Sequence, residues 1–70
     1  MKRYRVFYTI KMDSTLYEYY LDVEAGNKKE AIKQVREKVY SETGRNAFTP
    51  KATSKNVITT NAIEGLPPKK

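Results

Sequence analysis

Arg3-Tyr-Arg-Val-Phe-Tyr-Thr-Ile-Lys-Met12 and Leu16-Tyr-Glu-Tyr-Tyr-Leu-Asp-Val-Glu24 are the stretches that decide the fold. In the first, Tyr4, Val6, Tyr8, Ile10 and Met12 alternate with Arg3, Arg5, Phe7, Thr9 and Lys11, the period of a strand. In the second, Tyr17, Tyr19, Leu21 and Val23 share one face, with opposite parity. Met12-Asp13-Ser14-Thr15 between them predicts a four-residue hairpin loop. Opposite parity requires that paired residue numbers add to an odd value. A total of 27 sets Ile10 against Tyr17, Tyr8 against Tyr19, Val6 against Leu21 and Tyr4 against Val23. The same register sets Arg5 against Asp22, Arg3 against Glu24 and Phe7 against Tyr20 on the other face. Apolar partners meet on one side and opposite charges on the other, which cross-strand energetics favours.

Working outward, Gly26-Asn27 breaks the second strand. Asn27 with Glu30 three residues on is the spacing of a capping box. A helix is predicted over residues 28–43, closed by Gly44 in a left-handed conformation. Ala31, Ile32, Val35 and Val39 form its apolar stripe. Lys33 with Glu37, and Lys38 with Glu42, have the spacing of stabilising pairs. Beyond Gly44, Phe48 is expected to return the chain to the core. The β-branched run around Val57, Ile58, Thr59, Thr60 and Ile63 predicts a third strand at about residues 55–63, antiparallel to the first. The expected fold is α+β: a β-hairpin, one amphipathic helix and a third strand (ββαβ), with sheet order 2-1-3 and the helix on one face. Residues 1–64 form this single small domain, and 65–70 read as an extended, mobile Pro/Lys tail.

Composition then narrows the chemistry. The 70 residues contain no His and no Cys. That removes the side chain that titrates near neutrality, the usual imidazole and thiolate metal ligands, and the disulfide. No acidic cluster suggests a carboxylate cation site, so no metal and no cofactor are expected. No stretch approaches the roughly 20 apolar residues of a membrane helix, and no signal-peptide run follows the N-terminus. A cytoplasmic protein without membrane attachment is the expectation. A chain this short sits near the lower limit for self-stabilisation, which leaves a homodimer open.

The net charge is +6, and it is unevenly placed. Residues 1–26 carry four cations and four anions, residues 27–44 five and three, and residues 45–70 five and one. A one-sided surplus points to a polyanionic partner. Lys29, Lys33, Arg36 and Tyr40 fall in one sector of the helix, beside its apolar stripe. Arg45, Lys51 and Lys55 follow on the way to the third strand. Any one of these is explained as a solvated residue whose stem covers the core edge. As a set they are expected to track a phosphate backbone, with Tyr40 stacking on a base or sugar.

Of the six tyrosines, Tyr4, Tyr8, Tyr17 and Tyr19 belong to the apolar hairpin face and are expected in the core. Phe7 and Tyr20 oppose each other on the face away from the helix, flanked by self-compensating charge pairs. They read as a patch for a protein partner or a second copy before they read as a base platform. The second strand would be an edge, partly protected by Glu18, Asp22 and Glu24. Catalysis has little to stand on. Ser14, Ser41 and Ser54 lack a visible base, the three glycines are isolated, and a metal-free ribonuclease sketch on Tyr40, Arg36 and Arg45 has no specific support. No enzyme is expected.

The run from Tyr4-Arg-Val-Phe-Tyr8 through Val23-Glu-Ala-Gly-Asn-Lys-Lys-Glu-Ala-Ile32 resembles short accessory proteins of phages and mobile elements of Gram-positive bacteria. They share two strands followed by a capped helix. The resemblance implies a bacterial or phage accessory protein whose relatives bind DNA, RNA or a host protein. Most such proteins are of unknown function.

Overall fold

The hairpin is built as its parity dictates. The computed structural model describes residues 1–54 and 61–69. Strand β1 (Lys2–Met12) pairs antiparallel with β2 (Thr15–Ala25) in the register that adds to 27 throughout, from Lys2 opposite Ala25 to Met12 opposite Thr15. The turn is tighter than the expected four residues. Only Asp13 (φ 49°) and Ser14 (φ 66°) lie between the paired ends, both left-handed. Two positive φ values match the right-handed twist of the flanking strands, as in a type I′ turn. Aspartate tolerates this conformation; serine tolerates it less readily. Replacing the pair with Asn-Gly is expected to raise stability by roughly 0.5–1 kcal/mol, read as a higher urea midpoint at unchanged slope.

Helix α1 (Lys28–Thr43) begins and ends where the capping signals put it. The Asn27 side chain accepts from the Glu30 N–H at 2.9 Å. The Glu30 carboxylate reaches back one residue further than in the usual box, accepting from the Gly26 N–H at 3.0 Å. Gly44 closes the helix at φ 73°, its N–H donating to the Tyr40 carbonyl at 2.8 Å. Thr43, the buried polar residue of the last turn, donates its hydroxyl to the Val39 carbonyl and accepts from the Arg45 N–H. The neighbouring backbone thus satisfies it inside the fold. The expected Lys33–Glu37 and Lys38–Glu42 pairs are not among the ion pairs of the described residues.

The remaining strands depart from expectation. β3 is Phe48–Ser54, earlier than predicted, and it pairs antiparallel with the free edge of β1. A two-residue β4 (Ile63–Glu64) lies parallel to β2 at Tyr19 and Tyr20. The result is a mixed four-stranded sheet, order β3-β1-β2-β4, with one helix. The class is α+β as expected. The order 2-1-3 and the ββαβ layout are corrected by the added strand, and the middle of β2 is no longer an open edge. Residues 55–60 of the predicted third strand, Val57 and Ile58 among them, lie outside the described residues. Because β2 and β3 run the same way on either side of β1, their connection must cross one face of the sheet. That crossing is α1.

Between Phe7 opposite Lys51 and Thr9 opposite Phe48, β3 holds one residue more than β1, a bulge around Pro50. Proline has no N–H for the ladder, so an edge strand and a bulge are where it belongs. Unbroken register would place Phe48 opposite core residue Ile10. The bulge removes it from that position, and Phe48 is 53% exposed rather than a core anchor.

The core lies between sheet and helix. Tyr4, Val6, Tyr8 and Ile10 of β1 and Tyr19 of β2 meet Ala31, Val35 and Val39 of α1. Tyr17, near the turn, is 39% exposed rather than buried in the core. The expected tail is in contact with this body. The Gly65 N–H donates to the Tyr20 carbonyl at 3.0 Å, and the Tyr8 hydroxyl donates to the Gly65 carbonyl at 2.6 Å. Leu66 packs on the core and Pro67 is buried. Among the described residues no helix is long and apolar enough to cross a membrane.

Candidate nucleic-acid interface

The apolar stripe of α1 turns toward the sheet, and this sets the direction of everything beside it. Lys29, Lys33, Arg36 and Tyr40 recur at three- and four-residue spacing, so successive turns bring them to one side. All four are exposed. They form one wall of an open groove of about 810 Å³, together with Ile32 and Glu37. Asn46, Ala47 and Phe48, on the chain leaving the helix, line the other side. Ile32 and Ala47 are half-buried and packed against the core, giving the groove an apolar floor.

The electrostatics of the wall are simple. None of Lys29, Lys33 and Arg36 has an ion-pair partner among the described residues. A cation left unpaired on a surface is easily recruited by a mobile anion, because no existing pair has to be broken. Lys29 and Lys33, four apart, repel one another slightly. Tyr40 is 60% exposed, an unusually open position for so large a ring.

The structure brings Lys29, Lys33, Arg36 and Tyr40 together and places Arg45 and Lys51 elsewhere. Arg45 is half-buried and donates its Nε to the Pro68 carbonyl at 2.9 Å, so it helps hold the C-terminal segment. Lys51 pairs opposite Phe7 and therefore belongs to the sheet face away from the helix. Alternation in β3 sends its neighbour Ala52 inward and Lys51 outward, so this residue of the segment after the helix does not adjoin the helix face. Lys55 lies outside the described residues. Phe48 was missed as a groove residue, and the available signal was Pro50, which marks an edge strand and a break in its register.

The outer sheet face carries the other expected pair. Phe7 and Tyr20 are opposite one another with ring centroids 5.9 Å apart and tilted by 48°. Both are half-buried rather than exposed. The Arg5 guanidinium lies 4.5 Å over the Tyr20 ring and forms a two-pronged bond to Asp22, Nε to Oδ1 at 2.9 Å and a terminal nitrogen to Oδ2 at 3.2 Å. Those bonds to Asp22 raise the Arg5 pKa further above its ordinary value. Arg3 and Glu24 approach to 3.8 Å on open surface, where such a pair contributes little. Arg3 and Arg5 on this face are thus paired with carboxylates, whereas Lys29, Lys33 and Arg36 along the groove have no ion pair among the described residues.

Compared with protein-family models, curated proteins and solved structures, the chain has no match in any of the three.

Proposed function

We propose that this chain is a small non-enzymatic module that binds nucleic acid along the α1 groove. One observation carries the reading: Lys29, Lys33 and Arg36, three cations with no ion pair among the described residues, line the same open groove as the exposed ring of Tyr40. Phosphates supply the anions, and counterion release supplies the sequence-independent part of the affinity. Arg45 and Lys51 act at a distance, adding to the positive field rather than touching the same strand of phosphates. An accessory protein of a phage or mobile element is the setting that the sequence resemblance implies.

Salt dependence tests this reading. Anisotropy with labelled single-stranded DNA, duplex DNA and RNA is expected to show binding that weakens log-linearly with salt. Three phosphate contacts correspond to a slope of about −2 on a single strand and nearer −3 on a duplex. No binding to any of them at low salt would overturn the reading. The lead would then pass to a protein partner or second copy at Phe7 and Tyr20, on the sheet face opposite α1.

A further inference from the structure

The groove is more than a row of cations. One wall is the helix, rising about 1.5 Å per residue, so Lys29, Lys33 and Arg36 follow one another at roughly 4.5–6 Å along its axis. That step is of the order of the spacing between successive phosphates on an extended strand. The opposite side presents Phe48, which the β3 bulge turns out of the core and leaves 53% exposed. Tyr40 faces the same space from the last turns of the helix, 60% exposed. Two large open rings and an apolar floor are not what a phosphate backbone alone requires.

A duplex fits this site poorly. Its bases are stacked on one another, so it would offer only phosphate and sugar to Tyr40, Phe48 and Ile32. A helix that reads a duplex must also project into the major groove. Here residues 46–48 stand across an open groove from the basic face of α1, so that face forms one side of a shallow recess rather than a free ridge. An unpaired strand has free base faces, and stacking on aromatic side chains is how such strands are held with little regard to sequence. Glu37 on the same wall argues in the same direction. A carboxylate repels phosphate but accepts a hydrogen bond from a base amino group.

We propose that the α1 groove takes single-stranded nucleic acid, stacking bases on Tyr40 and Phe48 while Lys29, Lys33 and Arg36 hold the phosphates. This rests on the nucleic-acid reading above and narrows it to one class of ligand.

The test compares three labelled oligonucleotides of equal length by anisotropy: a mixed-sequence single strand, the same strand in a duplex, and an abasic strand with the same phosphates. The single strand is expected to bind about tenfold or more tighter than the abasic strand. Phe48→Ala and Tyr40→Ala are each expected to weaken the single strand by about five- to tenfold and leave the abasic strand unchanged, while Tyr40→Phe retains affinity. Both rings are exposed, so circular dichroism of the variants is expected to match the parent. Equal binding of natural and abasic strands, or duplex binding as tight as the strand, would overturn the stacking proposal while leaving phosphate binding intact. Failure of all three probes to bind would overturn both.

Discussion

Tyr8→Ala is expected to remove about half of the protein's folding stability. Tyr8 stands at the middle of β1, 1% exposed, stacked on Tyr19 with centroids 5.9 Å apart. It is the largest of the fully buried side chains. Truncating a buried aromatic ring costs about 3–5 kcal/mol, while a domain of this length has roughly 4–10 kcal/mol in total. The substitution also removes the hydroxyl that donates to the Gly65 carbonyl, loosening the segment that continues β4. Urea denaturation followed by far-ultraviolet circular dichroism reads the loss directly. Tyr8→Phe separates the two contributions: it keeps the ring, drops only the hydrogen bond, and is expected to cost about 1–2 kcal/mol. A Tyr8→Ala protein as stable as the parent would refute this account of the core.

The same residue sets an alkaline limit. Burial, aided by the neighbouring Tyr19, pushes the Tyr8 phenol well above its ordinary pKa of 10. The folded state therefore keeps the proton that the unfolded chain releases first. Stability is intact below about pH 10 and falls as pH rises beyond it, because the unfolded state then binds fewer protons.

The second large effect is on binding. Lys29→Ala, Lys33→Ala and Arg36→Ala together are expected to lower nucleic-acid affinity by about a hundredfold at low salt and to remove about 2 from the single-strand salt slope. The fold is expected to survive, since all three side chains are exposed and have no ion pair among the described residues to lose. Relief of the Lys29–Lys33 repulsion even favours the helix by a few tenths of a kcal/mol. Paired measurement of anisotropy and thermal unfolding distinguishes a binding surface from a structural one. Unchanged affinity in the triple variant would assign the interface elsewhere.

How the site came to be half legible follows from the same geometry. Lys29, Lys33, Arg36 and Tyr40 share a helix face by spacing alone, and spacing is written in the chain. Lys51 and Phe48 could not be placed that way. Their positions depend on where β3 begins and on the bulge around Pro50. Phe-Thr-Pro-Lys-Ala-Thr-Ser has weak strand propensity. It becomes a strand because β1 has an unpaired edge whose N–H and C=O groups need partners.

The hairpin, its register and both ends of the helix were legible in the chain's own local pattern. Alternation, opposite-charge pairs, Asn27, Glu30 and Gly44 act on near neighbours, or on strands that a two-residue turn joins. Tertiary structure alone decided which segment fills the second edge of β1. It also decided that Phe48 faces solvent beside the basic helix, and that Gly65–Pro68 is drawn in by the Tyr8 hydroxyl and the Arg45 guanidinium. These choices join residues more than 20 positions apart, and they turn on which buried backbone groups are left to satisfy once the hairpin and helix have formed.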